Sequence, residues 1–181
     1  VVLSLRTDGQ TALRLIPLQD NGFGAPVDLA FDEPIHSVGL GDNPEPDQGS
    51  LLVSYESYVT PRTVLEVDLA TGARTVLKQQ PVLGGYDPGD YRQVRAWARS
   101  TGGVQVPVSI VHRADIVPDG SAPGLLTAYG AYEVSSDPYF SVARLSLLDR
   151  GVVFAVAHAR GGGAMGRHWY DDGTLLAQPH T

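Results

Sequence analysis

The pattern of apolar residues changes near residue 86, and this change limits the folds that are open to the chain. Before it, short runs alternate apolar and polar residues between turn signals, as half-buried strands of an antiparallel sheet do. After it, residues 151–159 form a nearly continuous apolar run, which is typical of a strand buried on both faces of a parallel sheet. We therefore expect two structural units that meet near residue 85.

The first unit is predicted to be a meander of short strands. Residues 35–78 hold four apolar or β-branched runs, about the content of one propeller blade of roughly 40–50 residues. The strands before Pro17 would then belong to the preceding blade, and neighbouring blades would be needed to bury both faces. A small antiparallel sandwich explains the same pattern equally well. The predicted strands cover residues 1–5, 12–17, 35–40, 51–55, 64–69 and 74–78.

The second unit is predicted to contain an antiparallel hairpin followed by a strand, a helix and a strand, which is a βαβ arrangement. Asp137 is a good N-cap and Pro138 suits a first helical turn, so we expect a helix from here to Asp149. Gly151 would end that helix. The predicted strands cover residues 93–98, 104–112, 124–129 and 151–159.

Composition excludes several classes of function. The chain has 20 acidic and 13 basic side chains, and its formal net charge of −7 argues against a nucleic-acid partner. It has no cysteine, which excludes disulfides, thiolate metal sites and cysteine nucleophiles. No apolar run approaches the roughly 20 residues that span a bilayer, so no membrane partner is predicted. His168, Asp171 and Asp172 match no strong metal motif, and we expect no metal site.

Residues 161–166 formally match the dinucleotide-binding pattern G-x-G-x-x-G after a predicted strand. The acidic residue that such sites place about 20 positions later falls where the chain stops. We favour a tight crossover in which glycine supplies backbone freedom. No serine lies in a G-x-S-x-G motif, so the chain is not expected to contain the nucleophile elbow of an α/β-hydrolase.

Four segments in a fixed order carry the most specific signal. They are LTAYGAY at 126–132, FSVARLSLLDRG at 140–151, ARGGG at 159–163 and WYDDG at 169–173. Together they resemble the prolyl oligopeptidase family of serine peptidases, and within it the oligopeptidase B branch, also called protease II. The resemblance covers most of the chain.

This resemblance implies a β-propeller that caps an α/β-hydrolase domain. Residues 1–85 would be the last propeller blades, and residues 86–181 would begin the catalytic domain and stop before its nucleophile. Because Val1 also opens directly in a strand-like run, we expect an internal fragment that is inactive alone.

The resemblance implies a cytoplasmic enzyme that hydrolyses short peptides after Arg or Lys, through an acyl-enzyme formed by a Ser-His-Asp triad, without a cofactor. Two alternatives stay open. One is a post-proline peptidase of the same family, and the other is a non-catalytic scaffold that has lost its triad.

Three residues receive roles by resemblance. Tyr129 would donate its hydroxyl to the oxyanion hole, and Tyr132 would form an aromatic wall of the primary specificity pocket or simply pack in the core. Asp137 would help to bind a second basic residue of the substrate. Tyr139 stands where a second acid is common in oligopeptidase B, which argues against selectivity for paired basic residues. Ala164 stands where the family often has an acidic residue after the three glycines, and we draw no consequence for function from this difference.

Overall fold

The computed structural model describes residues 1–100, 102–117 and 119–180. The first strands are β1 (Val2–Thr7), β2 (Gln10–Leu15), β3 (Leu18–Gln19), β4 (Gly22–Phe23) and β5 (Val27–Asp28). Strands β1, β2 and β5 form a three-stranded sheet in that order, and β3 pairs with β4 in a small hairpin. The predicted early strands are thus present as the antiparallel β1–β2 pair.

A four-stranded antiparallel meander follows. Its strands are β6 (His36–Leu40), β7 (Ser50–Ser57), β8 (Thr63–Asp68) and β9 (Arg74–Gln79), paired in sequence order. Alternate residues of β7 and β8 are buried, as the alternating sequence pattern predicts. Val53 and Val67 are fully buried in this sheet's core, which also includes Leu13 of β2. The four strands expected of one blade are therefore present.

The second sheet has the order β10-β11-β13-β12. A short 3-10 helix (Pro88–Asp90) leads into β10 (Tyr91–Arg99) and β11 (Gln105–Arg113), which pair antiparallel, followed by β12 (Gly124–Ala128), α1 (Val142–Leu148) and β13 (Val153–Ala157). Strands β12 and β13 run parallel on either side of α1 in the chain. This arrangement confirms the predicted hairpin and βαβ unit. A second short helix, α2 (Arg167–Asp171), and a 3-10 turn (Leu175–His180) complete the chain.

Helix α1 begins later than the sequence predicts. Its N-cap is Ser141, whose side chain accepts a hydrogen bond from the Arg144 backbone N–H at 3.3 Å. The expected cap, Asp137, lies outside the helix, and both of its carboxylate oxygens bind Arg6. The prediction of a helix from Asp137 was therefore wrong, because Ser141 supplies the cap and the Asp137 carboxylate binds a residue 131 positions away.

We expect Ser141→Ala to lower the free energy of unfolding by about 1 kcal/mol, because the substitution leaves an N-terminal amide of α1 without its acceptor. Ser146→Ala is the matched control, since Ser146 is exposed in the middle of the same helix and alanine is the better helix former there. Thermal unfolding of the full-length protein, in which the chain has its natural neighbours, measures both. Equal melting temperatures for the two variants would contradict the capping role.

The blade and the second sheet share one buried core. Tyr58 packs edge-on against Phe154 of β13, with ring centroids 6.5 Å apart. Gln93 of β10 donates to Glu33 at 2.7 Å. The cluster joins residues from both sides, namely Ile35, Tyr58 and Val59 with Tyr91, Val111, Phe140, Leu145, Leu148 and Val156. The division into domains at residue 85 stays a prediction.

No helix in the described part of the chain combines the length and the apolar character that a membrane crossing requires.

Candidate functional site

A cavity of about 430 Å³ opens where β12 ends. Ligands of open α/β sheets bind outside the carboxyl ends of parallel strands, so this is the expected place for a site. Its walls come from β12, β13, α1, the segment between β12 and α1, and the blade. The lining residues are Tyr58, Thr127, Tyr129, Val134, Ser135, Ser136, Asp137, Tyr139, Arg144, Phe154 and Val156.

Tyr129 directly follows the last residue of β12 and lines this cavity. Its side chain is half exposed, at 48%. Within residues 1–100, 102–117 and 119–180 its hydroxyl has no hydrogen-bond partner, so the O–H is free to donate to a ligand. A phenol held at a strand end in this way can stabilise negative charge that develops on a carbonyl oxygen.

Asp137 lines the same cavity, but its carboxylate is occupied. The two guanidinium nitrogens Nη1 and Nη2 of Arg6 donate to its two oxygens, each at 2.6 Å. The two side chains are about one-third exposed, at 30% and 32%. Asp137 therefore meets a strand from the beginning of the chain, and sequence reasoning did not find this partner.

Tyr132 lies apart from the other two predicted site residues. It is 83% exposed and lines a separate cavity of about 240 Å³ beside Tyr170 and Leu175. Its φ of 55° and the φ of 59° at Glu133 put two successive non-glycine residues in the left-handed region. Such strain persists only where surrounding contacts fix the backbone, and it is frequent at functional sites. The structure thus brings Tyr129 and Asp137 together and leaves Tyr132 on another surface.

Arg144 of α1 is a cavity residue that sequence reasoning missed. It is buried, and its guanidinium lies 4.7 Å, 4.6 Å and 4.7 Å from the ring centroids of Tyr58, Tyr139 and Phe154. Its Nη1 donates to the Tyr139 carbonyl at 2.6 Å, while its Nε has no partner among the described residues. Burial lowers the pKa of this guanidinium. The available signal was its spacing of four residues from Leu148, which puts both on one helix face.

The glycine run after β13 allows two loops to pack backbone to backbone. A Cβ on Gly161 would lie 2.2 Å from the Gly130 carbonyl oxygen, and one on Gly163 would lie 2.4 Å from that of Glu133. The Glu133 amide donates to the Gly161 carbonyl at 3.0 Å. The glycines therefore meet the steric needs of a tight crossover, and they hold the segment after β12 in place.

Ser109 and His158 form a pair that only superficially looks like a nucleophile and its base. Ser109 Oγ lies 2.8 Å from His158 Nε2, and Arg95 Nη1 donates to the same oxygen at 2.7 Å. Because arginine can only donate, the serine oxygen accepts this bond. Both residues are buried, at 1% and 4% exposure, so a substrate cannot reach the pair in this structure. Its role is packing between β11 and the strand end of β13.

This histidine should make stability depend on pH. Burial, followed by the nearby Arg95, lowers the pKa of His158 from 6.5 to about 4. Between pH 6.5 and about 4, the unfolded chain therefore binds more protons at His158 than the folded chain does. The contribution of the neutral His158 to the free energy of unfolding is complete above pH 6.5 and is lost as the pH falls toward 4. We expect the loss to reach at most about 1.4 kcal/mol per pH unit.

Melting temperatures of the full-length protein and of its His158→Asn variant, measured at pH 7.5 and 5, test this expectation. The wild-type protein should lose more stability than the variant on acidification. An equal loss in both proteins would show that His158 does not carry the effect.

Comparison with protein families gives two matches along the chain. The model described as "Prolyl oligopeptidase, N-terminal beta-propeller domain" matches residues 1–80, and the model described as "Prolyl oligopeptidase family" matches residues 138–179. These matches confirm the expected fold class, in which propeller blades precede the start of a hydrolase domain. For the meander β6–β9, the match to the propeller model favours a propeller blade over an independent antiparallel sandwich.

Curated relatives extend this similarity over nearly the whole chain. Dipeptidyl aminopeptidase BI from Pseudoxanthomonas mexicana is 45% identical over 181 residues, which are 99% of this chain and 24% of that protein. Protease 2 from Moraxella lacunata is 39% identical over 153 residues, which are 84% of this chain and 22% of that protein. The chain thus spans about a quarter of the length of these relatives.

Solved structures agree with the sequence matches. Oligopeptidase B from Leishmania major superposes with a TM-score of 0.86 at 32% identity, covering 99% of this chain and 26% of that chain. Oligopeptidase B from Trypanosoma brucei, with covalently bound antipain in its closed form, superposes with a TM-score of 0.86 at 35% identity. The match covers 98% of this chain and 26% of that chain.

Proposed function

The chain belongs to the prolyl oligopeptidase family, and on this premise we propose that the full-length protein is a serine peptidase of the oligopeptidase B type. It hydrolyses short peptides after Arg or Lys through an acyl-enzyme. The serine, histidine and aspartate of the triad follow residue 181 in this proposal. Residues 1–85 supply the last propeller blades, and residues 86–181 supply the start of the catalytic domain.

The observation that carries the proposal is the position of Tyr129. Tyr129 is half exposed, its hydroxyl has no partner in the described part of the chain, and the residue lines a cavity at the carboxyl end of a parallel strand. Acyl transfer needs a donor where the carbonyl oxygen becomes negative, and a preorganised phenol can be that donor. A buried tyrosine with a satisfied hydroxyl would not have supported this role.

Two further roles complete the proposal. Tyr132 contributes, in the separate cavity that it lines, an aromatic wall for the side chain that precedes the cleaved bond, and its exposed ring is available for such a contact. Asp137 borders the substrate cavity, where it binds Arg6 of β1. The propeller restricts access to short peptides, the reaction needs no metal or organic cofactor, and the enzyme works in the cytoplasm.

The test uses the full-length protein and a serine-reactive fluorophosphonate. We expect covalent labelling, and cleavage of a matched peptide series to be fastest when Arg or Lys precedes the cleaved bond. Cleavage only after Pro would replace this specificity with that of a prolyl endopeptidase. Absence of both labelling and cleavage would overturn the enzyme proposal and support a scaffold.

Release of dipeptides from peptide N-termini is a second candidate activity. It is favoured by the 45% identity to a relative named dipeptidyl aminopeptidase BI. The same peptide series, with free and with acetylated N-termini, separates the two activities. Cleavage that requires a free N-terminus and always releases two residues supports the aminopeptidase, whereas internal cleavage of blocked peptides supports the oligopeptidase.

A further inference from the structure

We propose that Arg6 is a specificity-determining residue, which occupies Asp137 and thereby denies this carboxylate to basic side chains of the substrate. The inference deepens the proposed function and rests on it. It names the substrate class that the cavity beside Tyr129 disfavours, namely peptides with a second basic residue near the cleavage site.

The Arg6–Asp137 contact already occupies both carboxylate oxygens, so a second guanidinium cannot form the same bidentate pair while Arg6 stays bound. A guanidinium and a carboxylate pair most strongly through two parallel hydrogen bonds, and both are formed here at 2.6 Å. A substrate arginine would have to displace Arg6 to bind in the same way. Displacement of Arg6 would not increase the number of hydrogen bonds to Asp137, because one bidentate pair would only replace another.

Arg6 is held in place by the turn between β1 and β2. Its Nη1 also lies 3.5 Å from the Gly9 carbonyl. The neighbouring Asp8 carbonyl accepts from Arg95 Nη2 at 2.9 Å, which ties the turn to β10. The intramolecular arginine is therefore preorganised, whereas a substrate side chain must lose its freedom on binding.

The charges around the cavity favour the same conclusion. Asp137 is the only acidic residue among the lining residues that the structure describes, and Arg6 neutralises it. Arg144 adds a buried positive charge to the wall. Tyr139 turns both its ring and its carbonyl to Arg144. An arriving cation thus meets a neutralised acid and a second guanidinium that only aromatic rings and a carbonyl contact, and like charges repel most strongly where water is excluded.

The experiment compares two peptides in the full-length enzyme. They share the residue before the cleaved bond and differ only one position earlier, with Arg in one and Ala in the other. We expect Arg6→Ala to raise the ratio of their kcat/KM values in favour of the Arg peptide by about fivefold to tenfold, because a freed carboxylate can then bind the substrate guanidinium. Arg6→Gln keeps most of the side chain and should give the same change if the alanine variant folds poorly.

Two control variants test whether the increase in the kcat/KM ratio comes from the freed Asp137 carboxylate. Arg14→Ala removes an arginine of the same sheet that binds Asp28 at 2.5 Å and 2.9 Å, and it should leave the ratio unchanged. In the double variant Arg6→Ala/Asp137→Asn the gain should disappear, because no carboxylate is left to be freed.

The outcomes separate this inference from the proposed function. A wild-type enzyme that cleaves no peptide contradicts the proposed function. An active enzyme with an unchanged ratio in both Arg6 variants, or a gain that survives Asp137→Asn, overturns the role of Arg6 alone.

Discussion

Tyr129→Phe in the full-length protein, acting as the proposed peptidase, is expected to lower kcat by about 10²–10³-fold with little change in KM. The substitution removes one hydroxyl and keeps the ring, so the cavity wall retains its shape. Loss of one oxyanion donor costs about 2.7–4 kcal/mol of transition-state stabilisation. Since the donor acts on charge that develops only during the reaction, the ground-state complex should be little affected. Steady-state kinetics on the best peptide substrate measure both constants.

Tyr55→Phe is the matched control for this prediction. Tyr55 lies in β7 and lines neither the cavity beside Tyr129 nor the one beside Tyr132, so the loss of its hydroxyl should leave kcat unchanged. A Tyr129→Phe enzyme with normal kcat would contradict the oxyanion role. A raised KM with normal kcat would instead indicate that Tyr129 binds substrate and transition state equally.

Gly161→Ala should destabilise the full-length protein by about 3 kcal/mol or more. Its φ of 83° is unfavourable for alanine, and the new methyl would lie 2.2 Å from the Gly130 carbonyl oxygen. The obstructing atoms belong to the backbone, which cannot rotate away as a side chain can. The added methyl would push apart the two loops that flank the site, so activity should fall as well.

Gly72→Ala separates the conformational cost from the steric one. Gly72 has a similar φ of 72°, but a Cβ there would have nothing within 4 Å. We expect this control to lose only about 1–2 kcal/mol. Melting temperatures of the two variants under identical heating conditions provide the comparison. If both variants melt together, the close approach at Gly161 is not a steric constraint.

Much of the fold was predictable because it depends on local pattern. Alternation in residues 64–69 predicts a half-buried strand, and β8 is that strand. The apolar run at 151–159 contains β13, which pairs in parallel with β12. The start of α1 was not predictable from local pattern, because Asp137 and Ser141 are both good caps, and the contact that Asp137 makes with the distant Arg6 has no local signal.

The site shows the same division between local and distant causes. A family resemblance pointed to Tyr129 and Asp137, and the structure puts both on one cavity. Tyr58 reaches that cavity from the blade, and no spacing in the sequence relates it to Tyr129. Arg144 was missed because a buried cation is rare and its three aromatic neighbours come from separate parts of the chain.

The core that the blade shares with the second sheet resists separation of the two sheets more strongly than the contact beside Tyr129 does. Separating the sheets there would expose Ile35 and Tyr58 on one side and Val111 and Leu148 on the other, and each buried apolar side chain opposes this by about 1.5–3 kcal/mol. The contact beside Tyr129 consists instead of a partly solvated ion pair and the nearby Arg95–Asp8 hydrogen bond, and such exposed ion pairs contribute roughly 0–1 kcal/mol. If the proposed peptidase opens to admit peptides, we therefore expect the two sheets to separate first on the Arg6 side, while the apolar core stays in contact.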